Sequence, residues 1–184
     1  MGKDPTINNG GSMSLNVGGL DCSMSNFGMV KGTFNSALSI TEVAIEQTEP
    51  SKLKQVRKNS DDLERAKKLH NAMQSFFKDV DVVCVEIPHG SQSARSMASY
   101  GMCIGILASL DKPLIQISAI ENKKAALNKS TGTKEEMIAW GKLTHPEASW
   151  FNVKSKDEHI ADAMSAIHAG MKTDMFKLIK GLSR

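Results

Sequence analysis

The order of segments in this 184-residue chain predicts an α/β fold: a mixed five-stranded sheet with helices on both faces. Three observations carry that reading. Three strand-like segments come first, separated only by turns. The hydrophobic period then switches from two to about 3.6, and helix, strand, helix, strand, helix follow. The length suits a single domain with one continuous core.

Each element has its own signal. Residues 1–14 are polar and contain Gly10-Gly11-Ser12, which reads as a flexible arm or an expression-derived scar with Met13 as an alternative start. Residues 15–22 form a short buried strand ending in an acid, residues 23–26 a turn, and residues 27–33 the antiparallel return strand. In residues 40–46, Ile40, Glu42, Ala44 and Glu46 alternate with Thr41, Val43 and Ile45, as in a third strand. Leu63, Ala66, Leu69, Met73, Phe76 and Phe77 recur at helical spacing, with Ser60 or Asp61 placed to cap the start. Residues 80–87 are a dense β-branched run stopped by Pro88-His89-Gly90. Ala94, Ala98, Gly101 and Gly105 give the next helix a small-residue face, which is expected to lie close against the sheet. Residues 113–117 read as the fifth strand. Helices over about 134–143 and 155–171 follow, and residues 172–184 form a basic amphipathic helical tail. A three-stranded meander followed by α-β-α-β-α is the order of the RNase H-like fold, placed here over residues 15–171.

Composition bounds the partners. Hydrophobic residues make up 40% and charged residues 23% of the chain, which excludes both disorder and membrane embedding. No apolar run approaches the roughly 18 residues of a spanning helix, and no basic-then-apolar leader opens the sequence, so the expectation is cytoplasmic with no membrane partner. Cys22, Cys84 and Cys103 form no C-x-x-C pair, which fits a reducing compartment and excludes a cysteine-based zinc site. The net charge of +3 permits a polyanionic partner without demanding one.

The chemistry lies in acids at the ends of strands. Asp21 ends the first strand, and Glu86 lies near the end of the fourth, in a run where an ionised acid is costly unless a cation offsets its desolvation. Asp157, Glu158, His159 and Asp162 crowd the first turns of the late helix. His159 and Asp162, three apart, share a helix face. Gathered by the fold, such groups make a divalent-metal site. Hard oxygen ligands suit Mg²⁺, and a histidine among them admits Mn²⁺. Two ions in one site can drive phosphodiester hydrolysis. Singly, an acid after a strand serves equally as a turn former, and His159 and Asp162 as solvated helix residues.

Asn16-Val17-Gly18-Gly19-Leu20-Asp21-Cys22-Ser23-Met24-Ser25-Asn26-Phe27-Gly28 resembles the opening of the RuvC family of Holliday junction resolvases. Val85-Glu86-Ile87-Pro88 resembles the family's second acidic motif, and Glu158-His159-Ile160-Ala161-Asp162-Ala163 its last. The resemblance runs from about residue 16 to residue 170. It implies a crossover junction endodeoxyribonuclease acting as a homodimer on branched DNA, chiefly four-way junctions. It also implies Asp21, Glu86, His159 and Asp162 as catalytic metal ligands for Mg²⁺, with Mn²⁺ able to substitute and two ions per site. Asp157 and Glu158 are alternatives at the His159 position. Lys123 and Lys134 have the spacing of the family's two lysines around a glycine-containing loop. The family's stacking aromatic, three residues after the second acid, is replaced by His89, whose imidazole offers less area to an unpaired base.

Lys112, Lys123, Lys124, Lys129, Lys134 and Lys142 fall in one stretch, and Lys123, Lys124, Lys129, Lys134 and His89 are the candidate DNA contacts. Lys52, Lys54, Arg57, Lys58 and the tail are candidate extensions. Apart from an acidic site, such a lysine cluster reads as a solvated face. Gly132-Thr133-Lys134 lacks the first glycine and the Lys-Ser/Thr pair of a P-loop. Cutting two strands of a near-symmetric junction calls for two sites related by a dyad. Met73, Phe76, Phe77, Met97 and Met102 are interface candidates, although core packing explains most of such a stripe. The alternatives are a broader flap, fork or RNA nuclease, and a non-catalytic nucleic-acid binding module of the same fold. An actin-like phosphotransferase needs two such domains, for which 184 residues leave no room.

Overall fold

In the computed structural model, which describes residues 14–88, 90 and 93–182, the sheet strands are β1 (Leu15–Cys22), β2 (Asn26–Phe34), β3 (Leu38–Gln47), β4 (Val82–Glu86) and β5 (Leu114–Ile117). The helices are α1 (Lys58–Phe76), α2 (Ala94–Ala108), α3 (Ala119–Leu127), α4 (Lys134–Thr144), α5 (Lys154–Gly170) and α6 (Asp174–Leu182). The strands form one sheet in the order β3-β2-β1-β4-β5. The meander β1-β2-β3 is antiparallel, and β4 and β5 extend it in parallel from β1. The expected mixed α/β architecture is the one observed.

Strand alternation sorts the side chains into two layers. Leu20 and Cys22 of β1, Phe27 and Met29 of β2, and Val83 and Val85 of β4 face one way, onto Leu69 and Met73 of α1, Phe77 just after it, and Cys103, Ile106 and Leu107 of α2. Val17 of β1, Val30 of β2, and Val82 and Cys84 of β4 face the other way, onto Ile160, Ala163, Met164 and Ile167 of α5. Asp21 shares the parity of Val17, and Glu86 that of Val82, so the sequence register assigns both acids to the α5 face.

Two strand glycines set how closely α5 approaches. A Cβ at Gly19 would lie 2.1 Å from the Ala163 carbonyl oxygen, and one at Gly28 would lie 2.6 Å from the His159 carbonyl oxygen. The helix rests on sheet backbone at both points, which side chains there would forbid. This seat carries the first turns of α5 to the end of β1 where Asp21 stands.

Several details depart from the sequence expectations. The small residues of α2 do not meet the sheet: Ala94, Ala98, Gly101 and Gly105 are exposed, and a Cβ at Gly101 or Gly105 would have nothing within 4 Å among the described residues. Cys103, Ile106 and Leu107 form the buried face instead. α1 starts at Lys58 with Arg57 as its N-cap, earlier than Ser60 or Asp61. Leu63 is 54% exposed, because Asp62 and Arg65 take the inward positions of that turn. Arg95 grips Asp62 through two bonds of 2.5 Å. Arg65 donates from Nη2 to the Met24 carbonyl at 2.8 Å and from Nε to Thr48 Oγ1 at 3.1 Å. The buried cluster thereby ties α1 to α2 and to the β1–β2 turn, and the Arg95 bond holds the Asp62 carboxyl below its usual range. Helix α3 was not anticipated at all. α6 docks Phe176 edge-on against Phe34, with ring centroids 5.4 Å apart. Residues 1–13 and His89 lie outside the described residues.

Candidate metal and nucleic-acid site

Asp21 and Glu86 are partnered positions on the parallel neighbours β1 and β4, so their side chains emerge beside each other on the α5 face. From α5, His159 Nδ1 donates to Asp21 Oδ2 at 2.6 Å. His159 Nε2 lies 3.7 Å from Glu158 Oε1, which accepts from Lys134 Nζ at 2.8 Å. Asp162, one turn along α5, feels the charges of Asp21, Glu86 and His159. The three chain segments singled out in the sequence therefore meet at one end of the sheet.

The site carries an excess of negative charge. Burial raises the Asp162 carboxyl to about 7, and the charges of Asp21 and Glu86 push the same way against the smaller pull of His159 and Lys123. Burial disfavours the charged form of His159, but its hydrogen bond to Asp21, with Glu158 and Asp162 behind, raises its pKa above the ordinary value. The Glu158 hydrogen bond likewise raises Lys134.

The neighbouring acids divide. Asp157 is buried and points away: its Oδ1 accepts from the Phe151 backbone N–H at 3.0 Å, and its Oδ2 pairs with Lys142 at 3.0 Å. It holds the loop before α5 rather than joining Asp21. Glu158 stays at the rim.

The basic stretch also disperses. Lys123 and Lys134 act on the acidic site. Lys124 lines a separate groove with Glu121, Lys172 and Asp174, and Lys129 pairs with Glu136. Lys112 donates to the Lys78 carbonyl after α1, and Lys142 is taken by Asp157.

One participant escaped the sequence reading. Asn122 on α3 is 1% exposed, and its Nδ2 donates to Glu86 Oε2 at 2.5 Å. The signal available was the capping box that starts α3, Ser118 with Glu121 three residues on, which fixes the helix phase and turns Asn122 inward.

Among the described residues, no three His, Cys, Asp or Glu side chains stand close enough together to hold an ion as placed. The donor set nonetheless fits a hard divalent cation: two strand carboxylates in register, a third raised by burial and by the charges of Asp21 and Glu86, and an imidazole beside them. A cation there would offset that repulsion.

No family model matches the sequence, and no curated protein matches it either. Solved structures do. RuvC of Thermus thermophilus, in complex with a Holliday junction substrate, superimposes with a TM-score of 0.66 at 17% identity, over 91% of this chain and 96% of that one. The yeast mitochondrial Holliday junction resolvase gives 0.53 at 14% identity over 92% and 85%. The fowlpox virus resolvase in complex with Holliday junction DNA gives 0.52 at 13% identity over 92% and 100%. The chain has the RuvC-type, RNase H-like fold over almost its whole length.

Proposed function

We propose that this protein is a metal-dependent, structure-selective DNA endonuclease that resolves four-way junctions by paired symmetric nicks. The observation that carries the reading is the in-register Asp21–Glu86 pair facing His159 and Asp162 at one sheet end, with Lys123 and Lys134 beside it. The fold shared with three junction resolvases supports it, although fold alone does not assign activity.

In this reading Asp21, Glu86, His159 and Asp162 hold the cation, Mg²⁺ or Mn²⁺, with two ions per site. Bound there, divalent ions neutralise charge on a phosphodiester and lower the pKa of water. Asp21, shared by strand and helix, is the central ligand. His159 orients the Asp21 carboxylate through Nδ1. Lys134, braced by Glu158, and Lys123 place positive charge where a scissile phosphate must lie. Lys124, Lys129 and His89 extend the DNA contact.

The partner is a second copy of the chain. Met73, Phe76 and Phe77 are core residues, which leaves the exposed face of α2 as the surface for the dimer. There Met97 and Ile104 flank the uncovered glycines Gly101 and Gly105. Small residues on such a face let two helices approach closely. Ile104→Glu is expected to shift sedimentation toward monomer.

The test is cleavage of a synthetic four-way junction, with flap, fork and RNA substrates alongside, in Mg²⁺, Mn²⁺ or EDTA. Asp21→Asn is expected to lower nicking by at least about a thousandfold, or roughly 4 kcal/mol of barrier, while junction binding survives. Parental cutting by the variant would remove Asp21 from the site. Junction binding without turnover in either metal would establish the binding module instead.

A further inference from the structure

Asn122 is an unusual choice for its place. The position is sealed between the sheet end, α3 and α5, where an apolar side chain would pack without polar cost. Its Nδ2 donates to Glu86 Oε2 at 2.5 Å, yet Oδ1 of the same amide is buried with no hydrogen-bond partner. Among the described residues it is the one buried side-chain oxygen or nitrogen in that condition. Buried acceptors are ordinarily satisfied, and an orphan calls for an explanation such as an ion or an ordered water. The amide is planar, with oxygen and nitrogen on one carbon. Oδ1 therefore lies within one water molecule's reach of the Glu86 carboxylate.

We infer that Asn122 is a positioning residue for the cation pocket. Its N–H fixes one oxygen of Glu86, and its carbonyl accepts a hydrogen bond from a water carried by the bound cation. The inference rests on the metal-dependent reading above and adds to it a residue from a fourth chain segment. The α3 capping box gives the amide its rigidity: Ser118 Oγ accepts from the Glu121 N–H at 3.2 Å, and Glu121 Oε2 accepts from the Ser118 N–H at 2.8 Å. The amide is thus presented from the first turns of a helix that packs on α5. Partners of this kind, which hold a ligand rather than the ion, commonly set metal affinity by 10- to 100-fold.

The test uses Asn122→Leu, which keeps the shape and removes both polar atoms, with Asn122→Ala as the second variant should Leu fail to fold. Mn²⁺ uptake by the metal-free protein is measured by electron paramagnetic resonance, and thermal melting is followed with and without Mn²⁺. The expected result is Mn²⁺ binding weakened by about 10-fold or more. The melting temperature without metal should change little, because the orphaned Oδ1 and the Nδ2 bond to Glu86 are lost together, and the rise on adding Mn²⁺ should shrink. The Mn²⁺ concentration for half-maximal junction nicking should climb by the same factor, with junction affinity in EDTA unchanged. A variant that melts lower without metal but binds Mn²⁺ like the parent would make Asn122 a packing residue and overturn the inference. Parental protein that takes up no Mn²⁺ would remove the metal reading itself, and Asn122's role with it.

Discussion

On one face of the sheet α5 rests on backbone, because Gly19 and Gly28 place no side chain beneath it. On the other face α1 and α2 pack against Leu20, Phe27, Met29 and Val83, and the buried acid of that layer, Asp62, is held between Arg65 and Arg95. The α5 face gathers Asp21, Glu86 and Asp162 beside one histidine, and burial, aided by the charges of Asp21 and Glu86, keeps the proton on Asp162. Both layers bury acids. The difference is that one sets its acid between two arginines, and the other sets its acids beside a histidine. Under the proposed function, stability and site chemistry fall on opposite sides of one sheet.

Substitutions on the two faces should separate these roles. The largest effect on stability is expected from Asp62→Ala, which leaves Arg65 buried without its carboxylate. About 3–5 kcal/mol of unfolding free energy should be lost, read by denaturant melts. The Mn²⁺ dependence of nicking should be unchanged at temperatures where the variant stays folded. Gly19→Ala comes next. Its methyl would press on the Ala163 carbonyl, a backbone atom that cannot yield without lifting α5, so about 1–3 kcal/mol should go. Here nicking should fall too, because His159 and Asp162 ride on the displaced helix. If Gly19→Ala left activity intact, the close seat of α5 would not be what assembles the site.

A smaller effect is expected with pH. The folded Asp162 carboxyl keeps its proton up to about 7, whereas an ordinary aspartate loses it near 3.8. Between those values the folded state binds more protons than the unfolded one, so metal-free stability falls as pH rises through the window. His159, raised by Asp21, adds a further decline above its ordinary value. Melting without metal at pH 4.5–7.5 should show the loss, and Asp162→Asn should flatten the lower part. Mn²⁺ uptake should strengthen over the same range, since a ligand must shed its proton. The smallest effect belongs to Gly105→Ala on the open face of α2. With no neighbour to strike, the added methyl should raise stability by about 0.5–1 kcal/mol at concentrations where the protein is monomeric. The same substitution thus carries opposite signs on the two faces.

Much of this was legible in the sequence where local pattern and tertiary role agree. The strand-like runs at residues 15–22 and 80–87 put Asp21 and Glu86 at strand ends, and the three-residue spacing of His159 and Asp162 put them on one helix side. The failures share a cause: burial of residues whose type does not announce it. α3 has low amphipathicity, and its single buried residue is polar, so no hydrophobic period marked it. Asp62 and Arg65 sit in a strongly charged stretch, and nothing local distinguishes them from exposed neighbours such as Glu64 and Lys67. The small residues of α2 suggested close packing, but the glycines that receive a helix are on the strands, and the helix they receive is α5.

The most direct measurement is anomalous diffraction from crystals of the protein soaked in Mn²⁺. An anomalous peak is expected at the sheet end, within bonding distance of Asp21, Glu86, His159 and Asp162, and absent in Asp21→Asn. Well-ordered side chains at that place with no peak at millimolar Mn²⁺, or a peak bound elsewhere, would contradict it.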